Sequence, residues 1–230
     1  MKNLMIFLLS LMALTSACSS NKGPDPSTNV TFLIDNTEKC GSRDTLIPTQ
    51  SVVDLIGYNG KVTFRQVNQV SLNTESSVSL KMPAGKTRLK IKKVNKPFLK
   101  KLNALRMTYL GPTEKAKKSS IWEPVCESIE DLKKSDADSK VLVIVSDMIE
   151  FSSNGDFYHT SVEDIKKIKE KMRKNCGINE LPKESDVSVK IIFYNPTGDT
   201  EYEERFKKSM KIWAVFFEEA GIDYEVKANL

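Results

Sequence analysis

The stretch Val30-Thr-Phe-Leu-Ile-Asp-Asn-Thr37 decides the fold, because an apolar run ends at once in a carboxylate and a hydroxyl. A second stretch, Val141-Leu-Val-Ile-Val-Ser-Asp147, repeats this order later in the chain. Continuous apolar runs of this kind are typical of strands that are buried on both faces of a parallel sheet. Ligands of open α/β sheets bind at the carboxyl ends of such strands. We therefore expect Asp35, Thr37 and Asp147 to belong to the functional site.

Strand-like and helix-like segments alternate along the rest of the chain. Further strands are predicted at Lys61–Val67, Val78–Met82, Val187–Tyr194 and Ile222–Val226. Helices are predicted at Thr45–Gly57, Lys96–Tyr109, Ser119–Lys134, Thr160–Gly177 and Thr200–Gly221. The short segment between Val67 and Val78 favours a hairpin over a parallel crossover. The alternation predicts an α/β fold, a Rossmann-like three-layer sandwich with a mostly parallel central sheet, an antiparallel edge hairpin strand and helices on both faces.

Three predicted helices begin with the pattern Ser/Thr-x-x-Glu, which is typical of a capping box that satisfies the first backbone N–H groups of a helix. The pattern occurs at Ser120–Glu123, Thr160–Glu163 and Thr200–Glu203. Apolar side chains at helical spacing predict the inward faces of three helices. These faces are Phe98, Leu102, Leu105 and Tyr109; Trp122, Val125, Ile129 and Leu132; and Tyr202, Phe206, Met210, Trp213 and Phe217.

The first residues are typical of an export signal. Lys2 is the one charged residue before the apolar run Leu4–Leu14, which is too short to span a bilayer and has the length of a signal-peptide core. The run ends in Leu14-Thr-Ser-Ala-Cys18, an order that resembles a bacterial lipoprotein signal, which is cleaved before the Cys that then becomes acylated. The alternatives are an ordinary secretory signal with a chance Cys, or a buried helix.

The domain organisation follows from this interpretation. Residues 1–17 are predicted to be the signal peptide, 18–29 the acylated Cys18 and a flexible tether, and 30–230 the folded domain. The tether prediction rests on Gly, Pro, Ser and Asn without a large apolar residue. We therefore expect a protein of the bacterial cell envelope, outside the cytoplasm, whose membrane contact is its N-terminal lipid.

Three cysteines, Cys40, Cys126 and Cys176, remain beyond Cys18, and their spacing matches no zinc pattern. A disulfide is permitted outside the cytoplasm, and Cys126 and Cys176 both lie on or beside predicted helices. The alternative is that these thiols are buried and pack as small apolar groups.

Basic residues are concentrated between Lys86 and Lys118. This stretch holds twelve Lys or Arg residues and one acid, Glu114, which gives it a net charge of +11. It could face an anionic membrane surface or phosphate, or it could be a solvated Lys-rich helix and hairpin. It lacks the series of aromatic residues on which bases would stack, so no nucleic-acid partner is expected.

Across Asn29–Leu230 the chain resembles the von Willebrand factor A-type (vWA) domain. In that family the first strand ends in Asp-x-Ser-x-Ser, a Thr precedes the third helix, and a later strand ends in an Asp; together they hold a divalent cation. The corresponding residues here are Asp35-Asn-Thr37-Glu-Lys39, Ser119 and Ser146-Asp147. The closing helix, with Trp213-x-x-x-Phe217, also resembles bacterial members.

The resemblance implies a metal site formed by Asp35, Thr37, Ser119 and Asp147. Its ion would be Mg²⁺ or Mn²⁺, which prefer oxygen ligands. Lys39 stands where the family has a second hydroxyl, and its ammonium could replace the metal as an internal cation. In the metal-free alternative, the acids accept backbone N–H bonds and cap helices.

The function that the resemblance implies is a protein-binding module for adhesion or assembly, with another envelope protein as partner. The first alternative is a metal-free structural component of an envelope complex, and the second is an envelope hydrolase. Enzymatic activity is not expected. Thr37 occupies the place where a haloacid-dehalogenase-like phosphatase needs a second Asp, and the single His, His159, has no Gly-x-Ser-x-Gly nucleophile motif beside it.

Lipidation at Cys18 can be tested by metabolic labelling. We expect the native chain to incorporate labelled palmitate and the Cys18→Ala chain to incorporate none, because the thiol is the acylated group. Cys40→Ala is the matched control and should label like the native chain. Undiminished labelling of Cys18→Ala would contradict the lipoprotein interpretation.

Overall fold

The computed structural model of the chain describes residues 25–37, 42–67, 74–81, 87–112, 119–152, 155–157, 159, 164–176, 186–195 and 198–230. Cys18, Lys39, Cys40 and the cap predicted at Thr160–Glu163 lie outside these residues. No helix in the described part of the chain has the length and apolar character needed to cross a membrane.

The described residues form one sheet flanked by helices. The strands are β1 (Ser27–Asp35), β2 (Asn59–Val67), β3 (Glu75–Lys81), β4 (Ser139–Ser146), β5 (Val187–Phe193) and β6 (Tyr224–Lys227). The helices are α1 (Thr49–Ile56), α2 (Arg88–Leu110), α3 (Trp122–Lys133), α4 (Ile165–Cys176) and α5 (Thr200–Ala220), with a 3₁₀ turn at Asp44–Leu46.

The strand order is β3-β2-β1-β4-β5-β6. Every neighbouring pair is parallel except β2 and β3, which are antiparallel. This arrangement confirms the predicted α/β sandwich with its antiparallel edge strand. The first strand begins at Ser27, three residues before the predicted domain boundary at Val30, because Ser27–Asn29 continue the register with β2.

Strand β1 is central because its side chains enter the core on both faces of the sheet. Phe32 and Ile34 belong to the cluster beneath α1 and α2, and Leu33 belongs to the cluster beneath α3 and α5. All three are fully buried. A continuous apolar run is therefore what this position in the sheet requires.

The predicted apolar helix faces are confirmed. Phe98, Leu102 and Tyr109 of α2 are buried, as are Trp122, Val125, Ile129 and Leu132 of α3 and Phe206, Trp213 and Phe217 of α5; Leu105, Tyr202 and Met210 are partly buried. The rings of Trp122 and Trp213 lie 4.9 Å apart and join α3 to α5. The indole N–H of Trp213 donates to the backbone O of Met148 at 2.9 Å. This bond fixes α5 to the segment that follows β4.

Two predicted helix caps are wrong. The cap residue of α3 is Ile121, without a side-chain cap, and α5 is capped by Asp199, which accepts from the N–H of Glu201 at 3.0 Å. Asp199, and not Thr200, occupies the N-cap position, because Asp is a strong N-cap residue and lies one position earlier in the chain. At α3 a carboxylate from another part of the chain takes the place of Ser120, as described below.

Helix α2 is longer than predicted. It begins at Arg88, capped by Thr87, and contains Pro97 in its interior. The predicted start at Lys96 would place Pro97 in the first turn, where proline is tolerated, but the helix accommodates it in its interior. The added turns, Arg88–Asn95, contain four of the twelve basic residues of the basic stretch.

Cys126 on α3 is disulfide-bonded, so the buried-thiol alternative is wrong for this residue. The side chain of Cys176, the candidate partner, lies outside the described residues.

The topology creates a switch point at β1. The chain leaves β1 toward β2 on one side and later returns to β4 on the other. Crevices at such points are the usual ligand sites of open α/β sheets. We name the end of the sheet with Asp35 and Ser146 the carboxyl edge, and the opposite end, with Ser27 and Ser139, the amino edge.

Candidate functional site

Asp35 joins the two central strands at the carboxyl edge. Its Oδ1 accepts hydrogen bonds from the backbone N–H of Thr37 at 3.0 Å and from the Thr37 hydroxyl at 2.6 Å. Its Oδ2 accepts from the Ser146 hydroxyl at 2.8 Å, so the carboxylate ties β1 to β4. Two of the predicted site residues, Asp35 and Thr37, are therefore in direct contact.

Arg43 is a buried cation beside Asp35. It is 2% exposed, and its guanidinium donates to the backbone O of Asp35 and to the side-chain O of Asn36. Burial raises the pKa of Asp35. The hydrogen bonds from Thr37 and Ser146 and the charge of Arg43 lower that pKa, but burial prevails. The site is thus a buried acid whose charge is partly balanced from within the fold.

The sequence did not identify Arg43. The candidate internal cation in the sequence analysis was Lys39, given as an alternative to a metal, and Lys39 lies outside the described residues. An Arg in a polar loop is ordinarily exposed, so nothing local distinguishes Arg43. The burial of Arg43 depends on tertiary contacts. One of them is the hydrogen bond from the backbone N–H of Arg43 to the backbone O of Leu110, at 2.8 Å.

Asp147 connects β4 to α5. Its Oδ1 accepts from the N–H of Ile149 at 2.9 Å, and its Oδ2 accepts from the hydroxyl of Tyr202 at 2.5 Å. Met148, between Asp147 and Ile149, has a positive φ of 59° and donates its N–H to the Ser146 hydroxyl at 2.8 Å. The loop after β4 is therefore held by the side chains of Ser146, the last residue of the strand, and Asp147, the first residue of the loop.

Glu150 is a buried acid that the sequence did not identify. It is 0% exposed. Its Oε2 accepts from the N–H groups of Ile121 at 2.7 Å and Trp122 at 2.8 Å, and its Oε1 accepts from the hydroxyl of Ser152. It therefore caps α3 from a distant part of the chain. One feature of the sequence could have identified Glu150: it is an acid among the apolar residues Met148, Ile149 and Phe151, directly after a buried strand.

The pKa of Glu150 is raised to about 7. Burial is the main cause, and the negative charge of Asp35 raises it further. The hydrogen bonds from Ser152, Trp122 and Ile121 act in the opposite direction but do not offset burial. Glu150 is thus a proton-binding group near neutral pH.

Ser119, the fourth predicted ligand, lies against the same loop. Its backbone O accepts from the N–H of Phe151 at 2.7 Å. Its hydroxyl is buried and has no hydrogen-bond partner among the described residues. A buried polar atom without a partner is costly, so a ligand for this hydroxyl would stabilise the site.

The predicted metal ligands fit a divalent ion only in part. The oxygens of Asp35 and Asp147 accept bonds from neighbouring groups, and Thr37 donates to Asp35. Within the described residues, no three acidic, His or Cys side chains converge. Of the four predicted ligands, all of which lie in the described part of the chain, Ser119 has a buried side-chain oxygen without a hydrogen-bond partner. These contacts fit a hydrogen-bonded edge without a metal better than a complete set of ion ligands.

His159 pairs with Asp156 at the surface. Its Nδ1 lies 2.8 Å from an Asp156 oxygen, and the His side chain is 83% exposed. The geometry is that of an exposed hydrogen-bond partner.

The raised pKa of Glu150 predicts a pH-dependent stability. The folded state holds a proton that the unfolded chain, with a carboxyl pKa of 4.5, releases, so stability falls as pH rises from 4.5 through 7. We expect the free energy of unfolding to fall by about 3 kcal/mol across this window. Glu150→Gln, which mimics the protonated acid, should remove most of this fall.

Urea unfolding from pH 4.5 to pH 8 measures the effect. Glu218→Gln, at an exposed position of α5, is the control and should keep the native slope. Equal pH slopes for the native chain and Glu150→Gln would contradict a buried, protonated Glu150.

No protein-family model matches the chain, and no curated protein sequence matches it. Similar solved structures include the PilB minor pilin from Streptococcus sanguinis, with 11% identity and a TM-score of 0.49 over 92% of this chain and 59% of the pilin. The chain therefore spans less than two thirds of the pilin.

Two other similar structures are BatB from Bacteroides thetaiotaomicron and the manganese-loaded TRAP protein from Plasmodium vivax. BatB has 13% identity and a TM-score of 0.39, over 88% of this chain and 91% of BatB. TRAP has 13% identity and a TM-score of 0.40, over 89% of this chain and 70% of TRAP. Likenesses this distant carry no inference about binding or activity. The six-stranded, mostly parallel sheet with its antiparallel strand pair and flanking helices is consistent with a vWA-like α/β sandwich.

Proposed function

We propose that the chain is a lipid-anchored envelope protein whose vWA-like domain binds another protein through its carboxyl edge. The fold fits a protein-interaction module. The proposal assigns no catalytic reaction to the chain, because its single His is paired at the surface and the acids at the edge serve as hydrogen-bond acceptors.

The observation that carries the proposal is Phe151, an aromatic side chain that is 39% exposed at the carboxyl edge. Its backbone forms bridges with Ser119 and Asp156. The neighbouring bond from the N–H of Phe157 to the O of Glu150, at 2.9 Å, closes the same loop. Aromatic side chains are enriched in protein interfaces, and one on a fixed backbone contributes contact area without ordering a loop on binding.

The buried acids support this interpretation. Asp35 and Asp147 hold the ends of β1 and β4, and Glu150 holds the start of α3. The bonds of Glu150 hold the residue that directly precedes Phe151. The carboxyl edge is therefore preorganised for a partner, which reduces the entropy lost on binding.

The cell-envelope location is supported by two features. The segment Leu14–Cys18 resembles a lipoprotein signal, and Cys126 is disulfide-bonded. Disulfides persist in oxidising compartments and are rare in the cytoplasm. Both features favour a domain that lies outside the cytoplasm and is attached by lipid.

Photo-crosslinking in intact cells tests the proposed interface. A benzophenone side chain at Phe151 is expected to give a discrete adduct with an envelope protein, because this position faces the partner. The control is Tyr58, an aromatic residue that is 56% exposed and directly precedes β2 at the amino edge. An adduct from Tyr58 alone, or from neither position, would contradict binding through the carboxyl edge.

The unsatisfied Ser119 hydroxyl favours a second candidate, in which the edge binds its partner through a divalent ion held by Asp35, Thr37, Ser119 and Asp147. A bound ion would supply a positive charge to which a carboxylate of the partner could bind. The other alternative is a metal-free structural component of an envelope complex.

Calorimetric titration with Mg²⁺ and Mn²⁺ separates these alternatives. The metal candidate predicts weak binding by the native chain, no binding by Ser119→Ala or Asp35→Ala, and tighter binding by Lys39→Ser, which restores a hydroxyl. If neither the native chain nor Lys39→Ser binds either ion, the metal candidate is wrong and the metal-free function remains.

A further inference from the structure

Exposed lysines are concentrated in the first half of helix α2. The helix carries eight basic residues and no acid. Leu89 is also exposed in this part of the helix. The exposed lysines are Lys90, Lys92, Lys93, Lys96, Lys100 and Lys101. We name these six residues the basic face. We propose that the basic face docks on the anionic phospholipid headgroups of the membrane that holds the N-terminal lipid.

The positive charges of the basic face destabilise helix α2. Lys92, Lys96 and Lys100 follow one another at four-residue spacing, where like charges repel. Lys90 lies in the first turn, where the helix dipole disfavours a positive charge. Among the described residues, no acid pairs with any lysine of the basic face. An anionic surface would relieve each of these repulsions.

Arg106 of the same helix, unlike the lysines of the basic face, is bound within the fold. It is buried, and its guanidinium donates to the backbone O of Ile47 and of Asp44, each at 2.7 Å. These bonds fix the carboxyl-terminal part of α2 to the fold. The basic face lies toward the other end of the helix and makes no comparable contact within the described residues.

The sheet places the start of α2 near the amino edge. Lys81 ends β3 opposite Asn59, which in turn lies opposite Ser27, the first residue of β1. Helix α2 follows β3 in the chain and ends at Leu110, which accepts from the N–H of Arg43 near the carboxyl edge. A 23-residue helix is about 34 Å long, slightly more than a nine-residue strand at about 30 Å. The first turns of α2 therefore reach the amino edge.

The tether ends at the same edge. Cys18 precedes the start of β1 by nine residues, and an extended chain of that length spans at most about 30 Å. This step rests on the proposed lipid anchorage at Cys18. The tether therefore keeps the bilayer surface within reach of the amino edge and of the basic face.

Lysine acetylation of the reconstituted full chain tests the docking. The acylated protein is placed in vesicles of phosphatidylcholine or of phosphatidylcholine with phosphatidylglycerol, and mass spectrometry follows the acetylation rate of each lysine. We expect Lys92, Lys96 and Lys100 to react several-fold more slowly on the anionic vesicles, and high salt to abolish this difference. The exposed Lys207 and Lys211 of α5 are matched controls and should react at equal rates on both.

Equal rates for the basic face on the two vesicle types would overturn the proposal, as would equal protection of Lys207 and Lys211. Protection by soluble inorganic phosphate in place of vesicles would also overturn it, because the ligand would then be a free anion. The Cys18→Ala chain separates this proposal from lipid anchorage. If this chain does not float with neutral vesicles, the lipid anchor is missing. The acetylation rates of its basic-face lysines on anionic vesicles then measure the docking of the basic face independently of the anchor.

Discussion

The buried carboxylate of Asp35 is the interaction on which the rest of the carboxyl edge depends. It ends β1, accepts the hydroxyl of Ser146 at the end of β4, and fixes Thr37 in the loop that follows. Ser146 in turn accepts the N–H of Met148, so the same contact orients the segment that carries Glu150. A buried acid needs such donors because burial disfavours its charge.

This network gives the two edges of the sheet different properties. At the carboxyl edge, buried acids hold the ends of β1 and β4 and the start of α3, and the exposed Phe151 directly follows Glu150. At the amino edge, the tether enters β1 near the first turns of α2. The proposed membrane contacts lie at and beside the amino edge and the proposed protein interface lies at the carboxyl edge, so the two surfaces do not overlap.

The sequence predicted the strands and helix faces, which follow from apolar periodicity. It did not predict the contacts between polar residues that lie far apart in the chain. The runs Val30–Asp35 and Val141–Asp147 correctly predicted the central strands, and the helix faces followed from their spacing. Glu150 could not be predicted as the cap of α3, because its partners lie about thirty residues earlier in the chain. Arg43 was missed for the same reason. The site prediction thus located the edge but not its complete hydrogen-bond network.

A double-mutant cycle tests the central role of Asp35 most directly. The free energy of unfolding is measured for the native chain, Asp35→Ala, Ser146→Ala and the double variant. We expect the double variant to be more stable than the sum of the single effects implies, by about 2 kcal/mol, because both single changes break the same buried hydrogen bond. Additive effects would show that the two residues act independently and would contradict a central role for Asp35.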